Sequence, residues 1–437
     1  MSVASRTPPS PPVPRRYAWT VFALVVALML SDYMTRSVIN AVLPDLKREW
    51  ALDDGQLGVL VSVVPLIVGI AAWPIALLAD RVGYVRSISV MAGVWCVATV
   101  LCGLSQNHAQ MLMARAAVGV GEAGYGSVGA AMLTSAFPAA RMSAVLGAFQ
   151  AAAVFGTVLG VIAGGVIGAA HGWQAAFIWV GAGSLLLVML FAVVAREAPR
   201  AGSRDSGPAA PRPRLGTVVR DLLSTASARY TYVGSGLQLL IIAAIGAWTP
   251  SFLAREYGLA ADQAGTRAGL LIMMTGVGMI VGGAVADRFG RTIGRRKLHL
   301  ASVYTCASFV LLAAAFALPT GSLQMGLLFV GALAAGGHAG VVAAVIVDVT
   351  HPALRATAIA TLALSNNLLG LAPGPYVVGA LSDALGLKTA LTIMPVAGLF
   401  ASVCFLIAAR SHERDAAANA LRSQAGIGPG PLDTVAR

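Results

Sequence analysis

Apolar residues fill this chain in long runs, and polar residues collect in the short gaps between them. A helix needs about 20 residues to cross a bilayer. Runs of that kind fall at 17–44, 55–79, 87–104, 109–137, 142–170 and 173–195, and again at 230–254, 264–286, 298–318, 322–350, 356–385 and 388–409. No run alternates apolar and polar positions with the period of two that a barrel strand needs, so each must satisfy its own backbone as a helix. The pattern predicts an all-α polytopic membrane protein with twelve transmembrane helices.

The gaps repeat as well as the runs. Ala79-Asp80-Arg81-Val82-Gly83 returns as Ala286-Asp287-Arg288-Phe289-Gly290, 207 residues later. Pro138-x-x-Arg141 returns as Pro352-x-x-Arg355, and Gly156, Gly160 and Gly165 return as Gly370, Gly374 and Gly379, each 214 residues later. Tandem half-copies of a hydrophobic chain mark a duplicated membrane bundle. We therefore expect two pseudo-symmetric six-helix bundles, at 17–195 and 230–409. Residues 1–16 and 410–437 should be disordered ends. Residues 196–229 form a linker, in which Leu215, Val218, Val219, Leu222 and Leu223 have the spacing of a helix lying on the membrane surface.

Composition agrees. The chain is 57% apolar and 11% charged, with a mean hydropathy of +0.79, outside the range of soluble domains. The net charge of +12 suggests a nucleic-acid partner only until the basic residues are placed. Lys47, Arg48, Arg255, Arg267 and Lys388 lie in alternate loops, Arg36 and Arg115 within runs, and the other 23 on the side of the termini. That asymmetry predicts cytoplasmic termini in an inner membrane and no nucleic-acid partner. The first run is too long for a signal-peptide core and carries Asp32 and Arg36, so it is read as a retained span. Cys96, Cys102, Cys306 and Cys404 all fall inside runs, without disulfide or metal spacing. No metal, cofactor or catalytic arrangement is expected, and the chain is not read as an enzyme.

The loops after the second and eighth runs, Asp80-Arg81-x-Gly83-x-x-Arg86 and Asp287-Arg288-x-Gly290-Arg291, resemble the signature loop of the major facilitator superfamily, with Ala76 in place of its leading Gly. Arg115-x-x-x-Gly119-x-Gly121-Glu122-Ala123 resembles a second motif of that superfamily. The longer string Gly119-Val-Gly-Glu122-Ala-Gly-Tyr125-Gly-Ser, with Trp248-x-Pro250-x-Phe252-Leu253, is similar to its spinster-like branch. The resemblance implies an alternating-access transporter of a small amphipathic solute or lysolipid-type substrate. It also implies a cytoplasmic gate at Asp80, Arg81, Arg86, Asp287 and Arg288. One departure stands out: Asp32-Tyr33-Met34-Thr35-Arg36 carries its acid three residues before the position, Thr35, where that branch has one.

Ionisable groups at bilayer depth line cavities or pair with one another. Asp32, Arg36 and Asn40 recur every four residues on one face of the first run, and Arg115 and Glu122, two turns apart, share a face of the fourth. At ~1.5 Å per residue both carboxylates come near the midplane, with both guanidiniums on its outer side. Two carboxylates in such a medium do not readily both carry charge. Glu122 is the expected proton carrier, with Asp32 as partner or alternate. Arg36 and Arg115, with Thr35, Tyr33 and Tyr125 beside them, would supply counter-charge and substrate contacts. The second half has almost no buried charge. Gln238, Trp248, His338, Asn366 and Asn367 would line that wall, facing the apolar part of an amphipathic substrate. A monomer suffices for this scheme, with protons and membrane lipids as further partners. Two alternatives remain open: an organic-anion symporter using Arg36 and Arg115, and a membrane solute sensor that transports nothing.

Overall fold

The computed structural model describes residues 15–137, 139–195, 222–289, 294–351 and 354–424. The first half comprises α1 (Arg15–Trp50), α2 (Asp54–Val82), α3 (Tyr84–Gly103), α4 (His108–Glu122), α5 (Tyr125–Ala136), α6 (Ala139–His171) and α7 (Trp173–Val194). The second comprises α8 (Ala226–Tyr257), α9 (Ala261–Phe289), α10 (Gly294–Ala317), α11 (Ser322–Gly336), α12 (Ala339–Asp348) and α13 (Arg355–Asn366). A π-helical turn (Asn367–Leu371), α14 (Pro373–Leu385), α15 (Leu387–Ile393) and α16 (Val396–Gln424) complete it.

Among the described residues, eleven helical stretches are long and apolar enough to cross a membrane. The run at 109–137 is the exception because it divides into α4 and α5. Ala123 is extended and Gly124 sits at φ 94°, a left-handed conformation that only glycine adopts without strain. The run at 322–350 divides likewise at Gly337-His338, and the run at 356–385 divides at the π turn before Pro373. Side chains such as Val90, Val97, Leu186, Val193, Ile280, Val303 and Phe400 are exposed on the outer faces, as lipid contact requires.

Glycines set how closely the helices approach. A Cβ on Gly156 or Gly160 would run into the carbonyls of Leu30 and Met34, so α6 lies backbone to backbone on α1. The duplicated positions do the same in the second half. A Cβ on Gly370 would lie 2.6 Å from the Gly236 carbonyl, and one on Gly374 2.6 Å from that of Leu240. The repeated glycines thus mark one helix crossing used twice. A leucine at 156 must part α1 from α6, at about 1–3 kcal/mol or more. Gly156→Leu is expected to lower the melting temperature by several degrees, while Gly147→Leu, at a position with open space, leaves it unchanged.

Two expectations need correction or fall outside the described residues. Residues 410–424 are not disordered: α16 runs on to Gln424, because Asp415 is buried against the start of α8. Its carboxylate accepts from the Ser227 amide (3.1 Å) and hydroxyl (2.8 Å), covering donors that a helix start leaves unpaired. Leu215, Val218 and Val219 of the expected surface helix lie outside the described residues.

Candidate functional site

The break in the fourth run shapes the site. α4 ends at Glu122, and the Tyr125 hydroxyl, just past the break, donates to the Val25 carbonyl (2.7 Å), tying this point to α1. The exposed carbonyls of a helix C-terminus favour a cation. Arg36 of α1 supplies one, its Nε donating to Glu122 Oε2 at 2.9 Å. The Glu122 side chain is 1% accessible and that of Arg36 18%, so the guanidinium is the part of the pair that solvent reaches. The carboxyl of Asp32, buried one helical turn before Arg36, is close enough to Glu122 for the two charges to act on one another. The ring of Tyr33 lies 5.3 Å from the Arg36 guanidinium carbon, in cation–π contact.

Arg115 is held differently. It is buried, and its Nε and Nη2 donate to the carbonyls of Leu60 and Arg36, both at 3.2 Å. It therefore joins α4 to α2 and α1. Thr35 donates to the Asp32 carbonyl (2.8 Å) and is fully buried. Asp32 Oδ1, Glu122 Oε1, Asn40 Oδ1, Arg115 Nη1 and Trp95 Nε1 are buried without a hydrogen-bond partner among the described residues. These unpaired polar atoms come from α1, α3 and α4 of an otherwise apolar bundle.

The second half answers with neutral groups. The offset of 206 residues that carries Leu30 to Gly236 and Met34 to Leu240 carries Asp32 to Gln238. Gln238 Nε2 donates to Ser308 Oγ (3.0 Å) and to the Ala335 carbonyl (3.3 Å), and His338 Nδ1 lies 3.0 Å from that same carbonyl. Gln238, His338 and Trp248 are fully buried, and Trp248 Nε1 donates to the Pro375 carbonyl (2.9 Å). Asn366 accepts from Ser235 (2.7 Å), while Asn367 donates to the Ala363 carbonyl (2.9 Å). Both asparagines are half-buried at the π turn.

A chain of this hydropathy, duplicated about broken helices with a buried charge cluster at one break, invites comparison with known transporters. The family model described as Major Facilitator Superfamily matches residues 25–293 and 231–432. The chain belongs to that superfamily. It is 28% identical to an MFS-type efflux pump of Mycolicibacterium smegmatis, across 92% of this chain and 95% of that protein. It is 26% identical to protein spinster homolog 1 of Xenopus tropicalis, over 92% and 82%. It is 27% identical to a sphingosine-1-phosphate transporter of Danio rerio, over 83% and 76%. A bacterial homologue of the human lysosomal transporter spinster, solved in an inward-facing, unoccupied conformation, superposes with a TM-score of 0.84. That match has 20% identity and covers 92% of this chain and 99% of the other. The spinster-like resemblance holds.

Within this superfamily member, then, the structure brings Asp32, Arg36, Tyr33 and Glu122 together. It places Arg115 in backbone contacts nearby, and Gln238, Trp248 and His338 inside the second half. The side chains of Asp80, Arg81 and Asp287 lie outside the described residues, while Arg86 and Arg288 are exposed. A second charged set, Lys47, Asp54, Arg255 and Asp383, joins the two halves at the end remote from the termini. The charge count treats Lys47 and Arg255 only as loop charges. The available signal was Asp53-Asp54 directly before an apolar run, the mark of a helix start.

Proposed function

We propose that the chain is a proton-coupled, alternating-access transporter of an amphipathic, lipid-like solute. It works in the inner membrane as a monomer of twelve spans, two six-helix bundles and cytoplasmic termini. The observation that carries this is the buried Asp32–Glu122 carboxyl pair with one partly accessible guanidinium, Arg36, bonded to it at a helix break. Two neighbouring carboxyls can hold one proton between them. An anionic headgroup that draws Arg36 away leaves Glu122 without its counter-ion, and a proton can replace it. Each ligand thus frees the partner of the other, so solute binding favours protonation and protonation favours solute binding, which is a coupling free energy between two ligands. The neutral second half suits the apolar part of the solute. The lysine and arginine asymmetry supports the sidedness, and the relatives named for efflux and for sphingosine-1-phosphate support transport of lipid-like solutes.

The accessible guanidinium also favours a narrower reading, in which the solute is an organic anion and no acyl chain is needed. Flux of a fluorescent lysophospholipid into liposomes carrying the purified protein tests both. We expect flux that rises several-fold with an imposed pH gradient. Competition by short-chain carboxylates alone would select the narrower reading. Flux of neither class would leave a solute sensor.

A further inference from the structure

The duplication builds two equivalent seams between the halves at the end remote from the termini, and only one of them is charged. Gly165 of α6 meets α9 at Ala261 and Gly265, and its counterpart Gly379 of α14 meets α2 at Asp54. Ala261 stands 207 residues after Asp54, and Asp383 stands 214 after Ala169. The α6–α9 seam is therefore small and apolar at the positions where the α2–α14 seam carries acids.

At the charged seam Asp54 is 2% exposed and its carboxylate is fully engaged. Oδ1 accepts from Lys47 Nζ (2.6 Å) and Arg255 Nη2 (2.7 Å), and Oδ2 from Arg255 Nη1 (2.6 Å) and Ser382 Oγ (2.5 Å). The Arg255 contact is bidentate, the strongest and most directional form of such a pair. Glu49, which the 206-residue offset makes the counterpart of Arg255, is an acid and accepts from Trp173 Nε1 within its own half instead. Asp383 then caps a helix of the other half: its oxygens accept from the Asp54 and Gly55 amides, both at 2.8 Å. These are first-turn donors with no carbonyl of their own helix to bond, and the positive end of α2 favours the carboxylate. Further in along the same seam, a Cβ on Gly58 would lie 2.7 Å from the Pro375 carbonyl, and the Tyr376 amide donates to Ser62 Oγ (3.2 Å) two turns from Asp54.

We propose that Asp54 and Asp383 form a one-sided latch that holds the outer end of the carrier shut, while the apolar α6–α9 seam acts as its hinge. Resting on the alternating-access reading, it assigns the controlled step: opening outward breaks the Arg255, Ser382 and Asp383 contacts together. Asp54 then keeps only Lys47, from its own half.

The test is a spin-label distance measurement on the full chain in liposomes, with Cys306 and Cys404 replaced by alanine. One label pair, Gln106→Cys with Thr320→Cys, reports the latched end. Another, Val82→Cys with Tyr230→Cys, reports the opposite end. In Asp54→Asn and in Asp383→Asn the ratio of long to short distances at the latched end should rise about tenfold, with the opposite end shortening. Arg255→Lys, which keeps the charge but loses the fork, should fall between these and the parent. An unchanged latched-end distribution overturns the proposal, since close backbone contact alone would then hold the seam. So does a broadening of both pairs together, which reports a loosened fold. No solute or pH gradient enters the measurement, so absent flux with a responsive latch would remove the transport reading and leave the latch standing.

Discussion

Glu122→Gln is expected to cut flux driven by a pH gradient about tenfold or more, to the rate seen without a gradient. The amide still presents an oxygen to Arg36 Nε, now 2.9 Å from Glu122 Oε2, so helix contacts at the break should survive. What it loses is the ability to take and release a proton. Flux down a solute gradient should therefore persist, and its dependence on pH should flatten. Glu122→Ala differs, because it leaves the half-buried Arg36 without an acceptor. Removing one member of a buried pair costs about 3–5 kcal/mol, so this variant should lose stability as well as coupling. The comparison is made by measuring flux at several pH values alongside thermal unfolding of each variant. A Glu122→Gln protein that still follows the gradient would move the proton to another group, with Asp32 first in line.

The parts of this site that were legible in the sequence are those whose chemistry is local. Asp32 and Arg36 lie one helical turn apart on one run, and Glu122 lies in another run at matching depth, so charge at bilayer depth was enough to select all three. The doubled glycines were legible for the same reason, since each marks a crossing set by backbone sterics. Other features depend on the chain returning to itself. Asp54 and Asp383 are 329 residues apart, at helix ends where acids are ordinary. Nothing in either neighbourhood says that the one caps the helix of the other. The tail after residue 410 shows the same limit: its polar composition reads as solvent-exposed, and the bonds from Ser227 to Asp415 and from Asn419 to the Asp348 carbonyl explain why the helix continues. The neutral counterpart of the charged site was half legible. Gln238 and His338 were singled out as cavity lining, yet both turn inward onto the Ala335 carbonyl.

Arg115 is where magnitude must decide between roles. A guanidinium with 1% exposure and no carboxylate bonded to it looks costly, since desolvating an ion costs several kcal/mol. Its two bonds to the Leu60 and Arg36 carbonyls are charge-assisted, each worth about 1.5–3 kcal/mol. The two sums nearly cancel. Arg115→Met, which keeps the volume and removes the charge, should then change the melting temperature little. Its effect should fall on transport, because the bond to the Arg36 carbonyl fixes the turn of α1 from which the Arg36 side chain reaches Glu122. We expect flux about tenfold lower, and Arg115→Lys should not restore it, since one ammonium lacks the fork that spans carbonyls of two helices. Arg115→Ala adds a cavity beside α2, where Gly119 already brings α4 against Ile67 and Val64, and should lower the melting temperature too. The decisive measurement is the double variant. If Arg115 acts through Arg36, adding Arg115→Met to Arg36→Gln costs no further flux. Additive losses would make Arg115 a separate contact for the solute.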